Sequence, residues 1–519
     1  MSNPFFSIVT PVYDPSEKHL LETIDSVRAQ TFPSWEWILV DDLSPNPGVR
    51  EVLRAAGATD GRIVVHEREA NGHIVRASND ALERATGEWI VLLDHDDLLE
   101  PTALELIAEA IATAPDAGYV YTDEDKVDDA GEISGEFRKP EWSPERLRHQ
   151  MYLGHLSALR HDLVRRVGGF REGYDGSQDH DLALRVTELG SPVLHVPEVL
   201  YHWRMVPGST AGDPTAKDYA SDAGLRAVRD HLDRLGRHDD RVEMSDLAHT
   251  YRTIRHLDPE TLVSVVIPTR GSSGVVWGSD RCFVVEAVAS LLRHTEHSLL
   301  EFVVVYDTAT PEEVLTTLRR LCGESLVLVE FDRPFNFSEK CNLGFVAASG
   351  DVIVFLNDDI EVLSDSFVEQ LCAPLEEESV GMTGARLLYS DGTIQHAGHA
   401  YYQDHFRHVL LGSLDEDPGP FGALSVDREV SGLTAACIAL RRDVVEQVGG
   451  FWTYLPSNFN DVDFSYKVRA TGRRLVWLAD VRATHFESRT RINTVHAWEH
   501  RAILERWGTP DLDPYLPGA

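Results

Sequence analysis

The segment LLDHDDLLE, residues 92–100, sets Asp94, His95, Asp96 and Asp97 side by side at the end of the apolar run WIVLL. Carboxylates packed this closely repel one another unless a cation stands near them. Asp94 and Asp96, on alternate residues of a strand end, are oxygen ligands of the kind that suit Mg²⁺ or Mn²⁺. Such ions keep several waters and share phosphate oxygens. A solvated turn or a helix cap would explain one DxD equally well. A second copy of the pattern favours the metal: NDD, Asn357–Asp359, ends another apolar run, with Asp359 at the place of Asp96.

Asp179 in GSQDHDLALRV and Asp461 in FNDVDFSYKV each open a helical pattern after a Gly- or Pro-rich loop. An aspartate there is either a helix cap or, near a metal, a base that takes a proton from an attacking hydroxyl. Asp181 and Asp463, two residues further on, read as structural. His202 lies 23 residues after Asp179, and His485 lies 24 after Asp461. Each follows a predicted strand, which makes the pair candidate metal ligands or diphosphate contacts.

These recurrences belong to a longer repeat. SIVTPVYD near residue 7 returns as SVVIPTRG at 264, and Gly87 returns as Gly350, an offset of 263 that also relates Asn79 to Asn342. VGGF with Gly169 returns with Gly450, an offset of 281, because the second copy carries about 19 extra residues between its DxD and its candidate base. Each copy alternates apolar strands with amphipathic helices: FFSIVTPVY, LLETIDSVRAQ, WEWILVDD, VREVLRAAG, RIVVHE, VRASNDALERATG, EWIVLLD. That order predicts a doubly wound, mostly parallel sheet whose ligands bind beyond the carboxyl ends of the strands. Asp41, Asp42 and the DxD all fall there. The expected domains are 1–204 and 263–487, with a helical linker at 205–262 and a Pro-rich surface tail at 488–519.

The chain has 519 residues, 48 basic and 85 acidic, for a net charge of −37. That balance argues against nucleic acid and against a polybasic membrane patch. The five cysteines, Cys282, Cys322, Cys341, Cys372 and Cys437, form no CxxC pair and read as free thiols. No apolar run approaches the roughly 20 residues of a spanning helix. The N-terminus lacks the pattern of a signal peptide. The expected location is the cytoplasm, with the inner face of the cell membrane as the alternative.

Taken together, SIVTPVYD, ILVDDLS, LLDHDD, GGFREGYDGSQDHDLALRV and YHWR, with SVVIPTRG, PFNFSEKCNLG, VFLNDDIEV, DGTIQHAGH and FNDVDFSYKV, resemble two tandem family-2 inverting glycosyltransferases of the GT-A fold. The likeness covers most of the chain. It is strongest toward bacterial enzymes of surface polysaccharides such as O-antigens and rhamnose-rich glycans. It implies α/β architecture, with two tandem GT-A domains joined by the linker. It implies a nucleotide-sugar donor (UDP-, dTDP- or GDP-linked), a glycan or lipid-linked glycan acceptor, and Mg²⁺ or Mn²⁺. By resemblance Asp42 and Asp307 contact the nucleotide base, Asp94 and Asn357 bind near ribose and metal, and Asp96 and Asp359 ligate the metal. Asp179 and Asp461 are the implied bases, and His202 and His485 close over the diphosphate.

The second copy departs from the pattern at Asn357, at Tyr306 (Asp41 in the first copy) and in the loop PTRGSSGVVWGSDRC. The expected function is bifunctional, with one activity per domain. The alternative is one catalytic domain beside a non-catalytic glycan-binding one. A sugar-nucleotide synthetase is disfavoured because VTPVYDP lacks that class's glycine-rich loop.

Overall fold

The computed structural model describes residues 3–206, 218–403, 405–486, 495–510 and 512–516. The start of the expected linker, 207–217, and the expected boundary at 487/488 lie outside the described residues. The chain divides into two compact units, Met1–Thr253 and Ile254–Pro517.

In the first unit the strands run in the order Ile63–Glu67, Trp35–Asp41, Phe6–Val12, Trp89–Leu92, Ser157–Arg160, Tyr119–Val127, Val193–Arg204, Leu98–Leu99. The first four are parallel, and Ser157–Arg160 pairs antiparallel with both of its neighbours. Trp37, Ile38, Leu39 and Val40 are fully buried because helices cover both faces of this half-sheet. The helix Glu17–Arg28 shows how. Ser16 caps its start by accepting from His19 N–H, and Leu20, Ile24 and Val27 put one stripe into the core.

The second unit repeats the order: Leu326–Phe331, Leu300–Asp307, Val263–Thr269, Val352–Leu356, Cys437–Arg441, Val380–Leu388, Arg474–His485, Ile360–Val362. The duplication reaches single side chains. Ser7 donates to Glu36 and receives Gly87 N–H, while Ser264 donates to Glu301 and receives Gly350 N–H. A Cβ on either glycine would lie 2.7 Å from the serine's backbone nitrogen, so the strand carrying the DxD starts tight against the first strand.

Three segments differ from the sequence reading. The helix expected as a linker, Asp218–Arg234, packs into the first unit's core through Ala227, Val228 and Leu232. Its buried face is built largely of small residues, which is why the segment looks polar in sequence. The tail contains a helix, Ala497–Trp507, whose Ala502 and Ile503 are buried against Tyr401, Leu455 and Val462. It is therefore part of the second unit and not a surface strand of chain. PTRGSSGVVWGSDRC forms a hairpin, Ser273–Val276 with Ser279–Cys282. The five cysteines are free, and Cys341, Cys372 and Cys437 are buried.

Candidate active sites

In each unit the helix that begins with the candidate base is set by a matched turn. The helices His161–Val167 and Arg442–Val448 both stop at paired glycines with left-handed backbone: Gly168 and Gly169 (φ +84° and +68°), Gly449 and Gly450 (+72° and +67°). Only glycine holds two such residues in succession without strain. The asparagines matched in sequence clamp these turns. Asn79 receives Phe170 N–H and donates to Phe170 O, both at 2.9 Å; Asn342 does the same with Phe451 at 2.8 and 2.9 Å. The chain then turns into the helices Gln178–Thr187 and Asn460–Arg469.

Within those helices the two aspartates separate as the sequence suggested. Asp181 is fully buried against Arg171 and Arg185, and Asp463 against Trp507, Lys467 and Arg506. Asp179 and Asp461 are half-buried, and each accepts the N–H of the next residue, at 2.8 and 2.9 Å. Burial, and then the Asp94 charge, push the Asp179 carboxyl above the usual range. Asp94, Asp179 and His155 thus share one electrostatic neighbourhood.

The cluster LLDHDD divides by role. Asp97 is buried, accepts Arg204 N–H at 2.7 Å and is bonded by Tyr201 Oη. Burial raises its carboxyl first, and the charges of Asp96 and Asp94 add to that. His95 reaches back to Pro11 O at 3.1 Å. Asp94 and Asp96 stay partly exposed, and Arg204 holds the Asp96 carbonyl at 2.6 Å. Asp42 is 2% exposed and is fixed by Arg68 at 2.6 Å and Gly72 N–H at 2.8 Å. Asp307 is held by Lys340 at 2.7 Å, with Arg270 at 3.5 Å.

His485 and His202 part company. His485 Nε2 lies 3.1 Å from Asp359 Oδ1 and 3.2 Å from Asn357 Nδ2, and its Nδ1 is 2.7 Å from Gln395 Oε1. His202 is not brought to Asp94 or Asp96. Its Nδ1 faces Asp125 at 2.6 Å and its Nε2 faces Glu100 at 3.0 Å. Register is the cause. Ile360 pairs with His485, but Leu98, one residue beyond the counterpart of Ile360, pairs with His202. A slip of one residue turns a side chain to the other face of a strand. Asp125, Glu100 and His155 belong to this neighbourhood and carried no role in the sequence. YTDEDKVD was the available signal, since Asp125 on that strand faces His202 at 2.6 Å.

In the second unit a cavity of about 440 Å³ is lined by Asn357, Asp359, His485 and Asp461, with Arg270 and Lys340 also in its wall. A divalent cation fits this set. Asn357 Oδ1 is buried with no hydrogen-bond partner. With the Nδ1 proton given to Gln395, the Nε2 lone pair of His485 faces a carboxylate oxygen. Two acceptors in contact are unfavourable unless a cation or a proton sits between them. In the first unit Asp94 and Asp96 offer carboxylate oxygens, while the imidazole of His202 faces Asp125 and Glu100.

Two sheets of the same strand order, each with an acidic strand tip and an aspartate-led helix, match in fold, and the sequence comparisons give the family. Residues 7–168 and 264–449 match the family model "Glycosyl transferase family 2", and the chain belongs to that family. "Uncharacterized protein y4gI" of Sinorhizobium fredii is 38% identical over 496 residues, 94% of this chain and 54% of that protein. "O-antigen biosynthesis protein RfbC" of Myxococcus xanthus is 35% identical over 519 residues, 99% of this chain and 40% of that protein. The chain spans about half the length of these curated relatives or less. Among solved structures, S. aureus TarS 1–349 in complex with UDP-GlcNAc is 19% identical, with 44% of this chain and 66% of that chain covered, at a TM-score of 0.37. Among the described residues no helix is long and apolar enough to cross a membrane.

Proposed function

We propose that this chain is a bifunctional, metal-dependent inverting glycosyltransferase of surface-polysaccharide synthesis, with one transfer site in each unit. The observation that carries the reading is the shared cavity of the second unit, where Asn357, Asp359, His485 and Asp461 meet. The likeness to the O-antigen biosynthesis protein of Myxococcus xanthus supports the polysaccharide setting.

In this reading the strand tips Asp94–Asp96 and Asn357–Asp359 hold Mg²⁺ or Mn²⁺ together with the diphosphate of a UDP-, dTDP- or GDP-linked sugar. The bound cation supplies charge neutralisation for the departing nucleoside diphosphate. Asp42 and Asp307, pinned by Arg68 and Lys340, offer rigid acceptors to the nucleotide base. Asp179 and Asp461 take the proton from an acceptor hydroxyl as its oxygen attacks the anomeric carbon from the face opposite the leaving group. One displacement inverts that carbon. A raised carboxyl, as at Asp179, is a stronger base once it is ionised. The acceptor is a glycan, free or lipid-linked. His202, enclosed by Asp125 and Glu100, orients those carboxylates on the acceptor side of the first unit.

A panel of nucleotide sugars tested for thermal stabilisation and turnover, with Mn²⁺, Mg²⁺ and EDTA, tests this. Stabilisation and turnover by one or two donors only with metal support it. Turnover unchanged in EDTA removes the metal, and no response to any donor removes the function.

A further inference from the structure

We propose that His396, His399 and His408 form a second metal site in the second unit, a tris-histidine site for a transition-metal ion of the Zn²⁺ class, distinct from Asn357–Asp359. The ligand nitrogens of the three rings all lie within 4.8 Å of one another. The ring centroids are 5.0, 5.0 and 4.7 Å apart, and the planes stand at 78°, 83° and 78°. Tetrahedral Zn²⁺ with nitrogens at about 2.0–2.1 Å requires ring centroids about 5 Å apart and nitrogens about 3.3 Å apart. His396 Nδ1 and His408 Nδ1 are 2.9 Å apart, so a small outward relaxation admits the ion.

Burial favours the neutral form of His396 and His399. Burial first, then the neighbouring imidazoles, keep His396 well below the ordinary histidine value, and burial lowers His399 as well. Neutral imidazole is the ligating form and suits borderline metals. His399 is 4% exposed, and its Nδ1 is buried without a hydrogen-bond partner. Packing such an atom into a wall is costly unless something binds it. Thr434 N–H donates to His396 Nε2 at 3.2 Å, which places the His396 proton on Nδ1, shared with His408. Uptake of the ion at Nδ1 moves this proton to Nε2 and gives up the Thr434 contact in exchange for three metal–nitrogen bonds.

The placement gives the site a purpose. His399 and His408 are cross-strand partners in the hairpin His399–Tyr402 and His405–His408, and His396 ends a strand paired to Val380–Leu388. The ion would staple the hairpin, part of the insertion that distinguishes the second copy, to the central sheet. His399 and His408 line the cavity that holds Asp461 and His485, so water or an acceptor hydroxyl can reach the fourth position. At the comparable stretch the first unit has the strand ISGEF, Ile133–Phe137, without histidine.

The test uses tag-free full-length protein, stripped and reloaded with Zn²⁺ or Co²⁺, with metal analysis and the visible absorption of Co²⁺ as readouts. The expected result is a stoichiometric ion giving the intense bands of tetrahedral Co²⁺, retained in Asp359→Ala and lost in His399→Asn/His408→Asn. Loss of the ion in Asp359→Ala instead would assign it to the donor-side site. The proposal also fails if wild-type protein takes up no ion, or if the double variant keeps the bands. Circular dichroism checks that the double variant is folded, and the single variant His408→Asn at the cavity rim, expected to weaken the bands, decides the matter if it is not.

Discussion

Removing the carboxylate of Asp96 or Asp359 takes a side chain from a strand end without opening the apolar core beneath it. Asp96→Ala and Asp359→Ala should each abolish one metal-dependent transfer while leaving the melting curve nearly unchanged. Retention of both transfers at full rate would overturn the assignment. Asp179→Asn and Asp461→Asn keep shape and hydrogen bonding but cannot take a proton. Transfer at the affected site should fall by about 10²-fold or more while donor binding by calorimetry is kept; lost donor affinity would move these residues to the binding shell.

A third residue-scale effect is structural. His180 is buried, with Nε2 2.7 Å from Leu147 O, and burial holds its imidazole down at about 4. The ring titrates near 6.5 when unfolded. Between these values the unfolded chain takes up a proton that the folded chain refuses. Its contribution is complete above pH 6.5 and is lost as the pH falls toward 4, by up to ~3 kcal/mol. Denaturation curves of wild type and His180→Gln across pH 4–7 should converge toward acid. Parallel curves would show that the ring does not titrate in this way.

At the scale of elements, the helix led by each candidate base depends on a turn and on a later brace. In the first unit Ser177 donates to Ala220 O at 2.7 Å and Tyr174 to Asp230 at 2.5 Å. In the second, Glu499 accepts from Asn458 at 2.9 Å, and Trp507 donates to Asp463 at 2.8 Å. Asn342→Ala removes both bonds to Phe451, and should cost about 1–3 kcal/mol in chemical denaturation; a cost near zero would mean the turn holds itself. Trp507→Phe should lower transfer by the second unit more than by the first, and equal losses would deny the brace. The turn was readable because GGF and its asparagine recur. The brace was not, because Asp218–Arg234 and Ala497–Trp507 share no motif and their helical faces look polar or short. The opposite facing of His202 and His485 was hidden for a related reason: matched spacing fixes position along a strand, and pairing fixes the face.

For the whole molecule, the strand orders of the two units coincide, and Asp96 and Asp359 fall at matching strand ends. The segments between those strand ends and Asp179 or Asp461 do not coincide. The first unit has the acidic strand Tyr119–Val127 and the short strand Ile133–Phe137. The second has the histidine hairpin. In the proposed reading, different walls would select different acceptors, and two tethered sites would raise the effective concentration of each for the other's product. With each unit inactivated in turn through Asp179→Asn or Asp461→Asn, defined acceptors should yield two different linkages by NMR. One shared linkage, or a variant with no effect, would reduce the pair to a catalyst and a scaffold.

The bracing helices also set an order in time. A growing chain emerges from its N-terminus, and domains fold as they become complete. The first unit's brace ends at Arg234, before Val263, the first residue of the second unit's opening strand, has been made. The helix bearing Asp461 acquires its brace only when residues 497–507 exist. A ribosome stalled late in the second unit would display a complete first unit, which ends at Thr253, beside a second whose Asp461 helix still lacks its brace, so the two candidate sites are born in sequence.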